Sequence, residues 1–293
     1  MTETESKPIE VSFEFFPPKT PEAETALWEA IRKLEAFQPS YVSITYGAGG
    51  STQDATLATV TRIARETRLC PAPHLTCVGK TRPEVDEVVR AIGRAGIRRI
   101  VALRGDPPGG GTRYEPTPGG YVNAADLVGG IRAIGDFEVS VAVYPEKHPE
   151  SFTLEVDLAM LAAKVDNGAT SALTQFFFDN SAYFRFLDRA RARGIDIPII
   201  PGILPVTNFE RVRQFAERCG ARLTSAFARR FEGLENSPEE RRLVAAAVAA
   251  EQVTALRAEG VNSFHFYTLN RADVVFAICR MLGLGGDTHR AAA

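Results

Sequence analysis

The chain has 293 residues, of which 45% are hydrophobic, and its formal net charge at pH 7 is −2. This length accommodates one large α/β domain or two small ones, with enough apolar residues for a sizeable core. The near-neutral charge offers no basic surface for nucleic acid or acidic lipid, so we expect neither as a partner.

The cysteines and the N-terminus favour a cytoplasmic protein without a metal. Cys70, Cys77, Cys219 and Cys279 lie far apart and form no CxxC pair, which argues against structural zinc and iron–sulfur clusters. We interpret them as reduced core thiols. Residues 1–8 are polar, and no apolar run reaches the length of a membrane-spanning helix, so we expect neither a signal peptide nor a membrane anchor.

Strand-forming runs alternate with segments of helical periodicity almost from end to end. The predicted strands are 9–15, 40–46, 71–76, 98–104, 138–144, 171–178, 197–204 and 262–267. The predicted helices are 21–36, 53–67, 82–95, 124–134, 154–167, 181–193 and 208–218, with an extra helical segment at 222–258 before the last strand. Strands and helices that alternate in this way predict an α/β fold, a (β/α)8 TIM barrel.

The barrel is predicted to be one catalytic domain over residues 9–284, with a flexible N-terminus at 1–8 and a disordered tail at 285–293. A doubly wound open sheet is the competing fold. No GxGxxG motif follows the first strand, so the dinucleotide-binding fingerprint of that fold is missing.

Polar and glycine-rich segments follow the predicted strands at their carboxyl ends. They read "SITYGAGG", "PHLTC", "VALRGDPPGGG", "VYPEKHPE", "TQFFFD", "GILPVTNF" and "FHFYTLNR". The opposite ends carry ordinary connecting loops. Barrel enzymes place their chemistry at the carboxyl ends of the strands, so this asymmetry predicts an enzyme or a ligand-binding barrel.

The first strand, "VSFEFF", sets one glutamate among phenylalanines. Alternation places Ser12 and Glu14 on the face that looks into the barrel. Val11, Phe13 and Phe15 lie on the other face, which packs against helices. Apolar surroundings raise the pKa of a carboxyl group, so we expect Glu14 to donate a proton near neutral pH. A structural glutamate paired with an arginine or lysine is the alternative.

Eight runs in order resemble the methylenetetrahydrofolate reductases of the short bacterial type. They are "FEFFPPK", "VSITYGAGG", "APHLTC", "VALRGDPP", "YPEKHPE", "TQFFFD", "IPGILPVTNF" and "FHFYTLNR". The resemblance covers about residues 9–284. It implies a (β/α)8 barrel that holds FAD, accepts hydride from NADH or NADPH, and reduces 5,10-methylenetetrahydrofolate to 5-methyltetrahydrofolate.

The resemblance implies two catalytic residues. Glu14 matches the acid that protonates N10 as the five-membered ring of the substrate opens. Asp106 matches the aspartate between flavin and pterin, where it tunes the flavin and hydrogen-bonds the pterin. A turn-forming aspartate before two prolines is the alternative for Asp106.

The binding residues that the resemblance implies fall into two groups. The cofactor residues are Thr45, Tyr46, Ala48, His74, Leu103, Arg104, Gly105, Asp106, Ala124, Tyr144, His148, Asp157 and Lys164. The substrate residues are Gln175, Phe215 and Arg271. A core position on an amphipathic helix is the alternative for Phe215.

One helix departs from the family pattern. Met160 and Ala163 occupy positions where the family usually carries asparagine and arginine, so we expect weaker FAD binding. A flavin-independent reductase of the same substrate and a non-catalytic folate-binding barrel are therefore the alternative functions. We also expect a homo-oligomer. The sequence contains no ribose-reading motif that separates NADH from NADPH.

Overall fold

The structure is a computed structural model that describes residues 7–47, 52–107 and 114–285. Its strands are β1 (Glu10–Phe15), β2 (Val42–Ile44), β3 (Pro71–Thr76), β4 (Arg99–Leu103), β5 (Glu138–Val143), β6 (Ser171–Thr174), β7 (Ile199–Ile200), β8 (Gly202–Ile203) and β9 (Ser263–Tyr267). Its helices are α1 (Pro21–Glu35), α2 (Gln53–Glu66), α3 (Arg82–Arg94), α4 (Ala124–Ile134), α5 (Leu154–Asp166), α6 (Asn180–Arg191), α7 (Phe209–Cys219), α8 (Ser225–Arg229), α9 (Pro238–Ala258) and α10 (Ala272–Met281).

All neighbouring strands pair in parallel, in the order β7-β6-β5-β4-β3-β2-β1-β9-β8. The two ends of this order, β7 and β8, are halves of the single strand predicted at 197–204. The first half pairs with β6 and the second with β9, so the ring closes through the broken strand. The predicted (β/α)8 barrel is confirmed.

The break in the seventh strand lies at Pro201, which has no N–H to donate to a sheet. Its carbonyl accepts a hydrogen bond from the N–H of His265 at 3.0 Å. The next residue, Gly202, lies where a Cβ atom would approach the carbonyl oxygen of Thr174 to 2.3 Å and the ring of Tyr267 to 2.5 Å. Glycine is therefore needed for the Tyr267 ring to lie against this strand.

The period-two pattern of β1 sorts its side chains as predicted. Phe13 and Phe15 are fully buried in the large core between strands and helices. The barrel interior holds a separate small apolar cluster of Tyr41, Ala72, Val101 and Leu173. It also holds buried polar side chains, among them Ser12, Ser43, Ser140, Ser171 and His265. The interior of this barrel is therefore unusually polar for a packed core.

The helices begin at recognisable caps. The Thr20 hydroxyl accepts from the N–H of Ala23 before Pro21 opens α1, a position where the fixed backbone angle of proline fits. The side chains of Asn123 and Asn208 cap α4 and α7 in the same way. All seven predicted helices are present, and the extra helical segment forms α8 and α9.

Helix α10 was not predicted. It packs against α1 and α9, and its sequence, "ADVVFAICRM", buries Val274, Val275, Ile278 and Cys279. Arg271 occupies its N-cap position without a side-chain capping bond, so the usual start signal is absent. The sequence alone did not show that this segment packs against α1 and α9.

Two other predictions concern the cysteines and the ends of the chain. Cys77 and Cys279 are buried, but Cys70 is exposed, so the prediction of a core thiol is wrong at that position. Cys70 is the last residue of the connection between α2 and β3. The predicted flexible N-terminus and tail fall largely outside the described residues. No helix within the described ranges is long and apolar enough to cross a membrane.

Phe13 provides a test of the core. Phe13→Ala should lower the free energy of unfolding by about 3–5 kcal/mol, because it leaves a cavity between the sheet and the helices. The matched control is Phe152→Ala, where the ring is 89% exposed, with an expected change within about 0.5 kcal/mol. Urea unfolding of both variants measures the two values; equal losses would contradict the assigned burial.

Candidate active site

The chemistry-bearing side chains gather at the carboxyl ends of the strands. Glu14 belongs to β1 and His74 to β3, while Arg104 follows β4. His265 and Tyr267 come from β9, which pairs directly with β1. The polar segments that follow the strands in the sequence thus share one end of the barrel, as predicted.

Glu14 lies between two imidazoles. Nε2 of His74 is 3.2 Å from its Oε2, and Nε2 of His265 is 3.6 Å from the same oxygen. Neither approach has the alignment of a formed hydrogen bond. His265 is fully buried and His74 nearly so, whereas the Glu14 side chain remains 14% exposed. Glu14 is therefore the member of this trio that a substrate can reach.

The electrostatics of Glu14 contradict the sequence-based expectation. Burial by itself would raise the pKa of this carboxyl, but the close approach of His74 and His265 outweighs burial and lowers the pKa to about 2. The predicted raised pKa is wrong, because the neighbours of Glu14 are imidazoles rather than phenyl rings. At neutral pH the carboxyl group is therefore ionised.

A second layer of contacts fixes His265. Its Nδ1 lies 2.7 Å from the hydroxyl of Ser12, and its ring stacks on Tyr41 with centroids 5.7 Å apart. Tyr41 in turn receives the Arg99 guanidinium over its ring, at 4.6 Å. Burial raises the pKa of Tyr41 to about 12, so the phenol stays neutral. These contacts leave His265 with its Nε2 directed at Glu14.

The loop after β9 holds the backbone of β1. The amide of Asn270 donates to the carbonyl of Phe16 at 3.1 Å, and its carbonyl accepts from the N–H of Phe16 at 2.8 Å. The N–H of Thr268 donates to the carbonyl of Glu14 at 3.2 Å. Leu269 and Asn270 both have positive φ angles, near 50° and 56°, a conformation that asparagine tolerates better than leucine.

Sequence reasoning missed His265, Thr268 and Asn270 as part of the site. The run "FHFYTLNR" was assigned to the site only through Arg271. The alternation of β9 could have identified His265, because it occupies the inward-facing register position opposite Ser12. The side-chain clamp of Asn270 has no signal in the sequence.

A cationic cluster lies at the ends of β4 and β5. The Arg104 guanidinium binds both carboxylate oxygens of Glu150, at 2.7 and 2.8 Å, and approaches Asp106 to 3.9 Å. The ammonium of Lys164 donates to the carbonyl of Ala142 at 2.8 Å. Burial lowers the pKa of Lys164 to about 8, although Asp157 opposes the shift. An anion placed here would relieve that cost.

Two predicted cofactor residues are engaged by their own loop. The Asp157 carboxylate accepts from the N–H of His148 at 2.8 Å and from the hydroxyl of Ser151. The His148 ring packs edge-on against Tyr144, with centroids 4.6 Å apart. Burial lowers the pKa of His148 and raises that of Tyr144. Asp157 therefore orders the loop that presents His148.

The remaining predicted cofactor residues that the structure describes lie after β2, at the end of β4 and at the start of α4. Thr45 and Tyr46 follow β2, where the Tyr46 hydroxyl donates to the side chain of Gln53 at 2.8 Å. Gly105 has φ of +85°, and a Cβ there would approach Val78 to 2.7 Å. Leu103 lines the barrel interior, and Ala124 is buried at the start of α4. Ala48 lies outside the described residues.

The residues predicted for the substrate come from three different parts of the chain. Gln175 follows β6, and its side-chain oxygen accepts from the N–H of Phe176 at 3.0 Å. Phe215 on α7 packs on Phe176, with ring centroids 5.2 Å apart, yet remains half-exposed. It thus belongs both to an aromatic cluster and to the surface. Arg271 is exposed after β9, and all three assignments stay predictions.

Comparison with known proteins decides the family. The methylenetetrahydrofolate reductase family model matches residues 1–283. The chain belongs to the methylenetetrahydrofolate reductase family. It is 50% identical to 5,10-methylenetetrahydrofolate reductase of Salmonella typhimurium, over 94% of this chain and 91% of that protein. Identity to the enzyme of the same name from Escherichia coli is 48%, with the same coverage.

Members of this reductase family also occur in larger proteins. Methylenetetrahydrofolate reductase (NADH) 1 of Arabidopsis thaliana is 35% identical over 96% of this chain, which spans 49% of that protein. Among solved structures, an uncharacterised Clostridium thermocellum protein that binds two copies of 5-methyl-5,6,7,8-tetrahydrofolic acid has a TM-score of 0.66. The match covers 95% of this chain and 97% of that protein, at 12% sequence identity. This likeness shows that the two proteins share a fold.

The lowered pKa of Glu14 predicts a pH-dependent stability. A folded pKa of about 2, against an ordinary value of 4.5, stabilises the protein above pH 4.5, and this contribution is lost as pH falls toward 2. Between pH 5 and pH 3 the wild type should lose about 2 kcal/mol more than Glu14→Gln. Urea unfolding at both pH values measures this difference. Glu29→Gln, at an exposed glutamate of α1, is the control and should lose as much unfolding free energy as the wild type. Equal losses in the wild type and Glu14→Gln would contradict the effect of the histidines on Glu14.

Proposed function

We propose that this protein reduces 5,10-methylenetetrahydrofolate to 5-methyltetrahydrofolate, with NADH or NADPH as the hydride source and FAD as the carrier. Relatives named 5,10-methylenetetrahydrofolate reductase over nearly the whole chain support the substrate. The observation that carries the mechanism is the contact of Glu14 with His74 and His265 at the barrel mouth. The proposal accounts for a buried carboxylate whose ion-pair partners among the described residues are histidines and not arginine or lysine.

The proposed proton transfer uses the whole trio. N10 of the substrate gains a proton as its bond to the methylene carbon breaks, which leaves an electrophilic iminium at N5. N10 receives this proton through the Glu14 carboxyl, which is the most exposed member of the trio. The neighbouring imidazole stabilises the carboxylate that remains. Hydride addition to the iminium carbon then completes the methyl group.

The described residues fit FAD. Arg104, His148 and Lys164 provide cationic or hydrogen-bonding groups for a pyrophosphate, and Lys164 is a partly buried cation whose pKa burial lowers to about 8. FAD would supply the hydride-carrying ring when bound. Arg104 would then exchange part of its contact with Glu150 for the phosphate, while Asp106, with a side chain 79% exposed, would face the ring and the pterin.

A flavin-independent reductase of the same substrate is the second candidate. Met160 and Ala163 favour it, because neither side chain can hydrogen-bond a nucleotide. A visible spectrum of the purified protein separates the two candidates: a flavin absorption band supports the first. Full activity from a preparation free of flavin would establish the second.

Glu14→Gln should nearly abolish the folate half-reaction while leaving flavin reduction by NAD(P)H almost intact. Only the folate half-reaction needs a proton at N10, and loss of a general acid costs on the order of 10²-fold or more. Anaerobic stopped-flow absorbance of each half-reaction measures the two rates. Glu29→Gln is the matched control and should leave both rates unchanged. If Glu14→Gln slows both half-reactions equally, Glu14 has a structural role.

Asp106→Asn should weaken folate binding and shift the flavin reduction potential, because it removes a negative charge near both rings. Asparagine keeps the turn-forming character of aspartate, so the variant separates charge from loop geometry. Asp136→Asn, between α4 and β5 at the opposite end of the barrel, is the control. Folate titration and redox titration are the measurements. If neither the flavin reduction potential nor the folate affinity changes, Asp106 serves only to form the turn.

A further inference from the structure

The pairing of β1 with β9 ends at the residue that carries the chemistry. Glu14 is the last residue of β1 paired with β9, where it lies opposite Tyr267. Pro17 and Pro18 follow shortly afterwards, and proline has no N–H with which to extend a sheet. On its β9 side, the backbone just beyond Glu14 therefore needs a partner other than a strand.

The side chain of Asn270 provides that partner. Its amide nitrogen donates to the carbonyl of Phe16 at 3.1 Å, and its oxygen accepts from the N–H of Phe16 at 2.8 Å. A neighbouring strand would offer the same donor and acceptor. The Thr268 hydroxyl donates to the carbonyl of Glu14 at 2.5 Å. Two side chains of one loop thus bind the backbone at Glu14 and at Phe16.

The backbone of this loop adopts an unfavourable conformation. The N–H of Arg271 donates to the carbonyl of Thr268 at 2.8 Å and closes a four-residue turn. Its central residues, Leu269 and Asn270, have φ angles of 50° and 56°. Turns with two positive φ angles are normally built from glycine, asparagine or aspartate, and leucine adopts this angle at a cost. Such angles persist where surrounding contacts fix them, and they cluster at functional sites.

We propose that Asn270 is a positioning residue for the proton transfer, which acts through the backbone of Phe16 to hold the Glu14 carboxyl at N10 of the folate. This inference rests on the proposed reductase function. Asparagine meets both demands of the position, because it tolerates a positive φ and its amide both donates and accepts. Glycine would adopt the angle without the side chain, and an ionised aspartate would offer the Phe16 carbonyl no donor.

Asn270→Gly removes the amide and keeps a residue that adopts a positive φ without strain. It should slow the folate half-reaction by about 10- to 100-fold, because a displacement of about 1 Å at a reacting group costs up to that much. Flavin reduction by NAD(P)H needs no proton at N10 and should not change. Anaerobic stopped-flow absorbance of the full-length protein measures both rates.

Gln38→Gly is the matched control. Gln38 also has a positive φ, 49°, but it lies between α1 and β2, at the opposite end of the barrel. Both half-reactions should keep their wild-type rates in this variant. Thr268→Val removes the hydroxyl that binds the Glu14 carbonyl and keeps the branched shape of the side chain. It should slow the folate half-reaction alone, and it provides the same test if Asn270→Gly does not fold.

The decisive comparison places Asn270→Gly in the Glu14→Gln background. If Asn270 acts through Glu14, the second substitution should slow the folate half-reaction no further, because the group that it positions is already lost. Losses that multiply in the double variant would overturn the inference. A single Asn270→Gly variant that is as fast as the wild type, or that slows both half-reactions equally, would also overturn it.

Failure of the proposed function has a different signature. In that case the wild type transfers no hydride to the folate, or Glu14→Gln transfers it at the wild-type rate. Either result would contradict the role of Glu14, and the inference about Asn270 with it. A slow Glu14→Gln beside an Asn270→Gly of wild-type rate would contradict the inference alone.

Discussion

The site depends on the burial of one ionised carboxylate between two imidazoles. Burial alone would force the carboxyl of Glu14 to keep its proton, but His74 and His265 reverse that tendency and lower its pKa to about 2. A buried carboxylate is stable only where its neighbours are held in place, since it has lost its water. The barrel provides that geometry, because β1 pairs directly with β9 and both histidines approach the same carboxylate oxygen.

The polar interior of the barrel follows from this requirement. Ser12 positions the Nδ1 side of His265, and Tyr41 covers its ring. The loop after β9 binds the backbone of Glu14 and Phe16 through Thr268 and Asn270. An interior of purely branched apolar residues would pack more simply, but it could not hold an imidazole close to the carboxylate. The polar interior therefore sets the position of His265 beside Glu14.

The residues proposed to bind the cofactor lie away from Glu14 in the sequence and carry a different set of charges. Arg104, His148 and Lys164 supply charge at the ends of β4 and β5, and α5 continues from them with Met160 and Val156 rather than hydrogen-bonding residues. In the proposed reductase the charged groups would hold the phosphates of FAD.

The sequence by itself determined the barrel, the positions of most helices and strands, and the end of the barrel that carries the chemistry. These features follow from local periodicity and from polar segments placed after each strand. It also determined the family, because eight ordered motifs carry it. The environment of Glu14 was decided by the tertiary structure: His265 lies 251 residues away in the sequence, and its register on β9 brings it to the carboxylate. A pKa depends on neighbours in space, and the sequence showed only the phenylalanines beside Glu14 in the chain. The pairing of the broken seventh strand with β6 and β9, and the contacts of Asn270 with Phe16, were likewise decided by long-range packing, which local patterns do not contain.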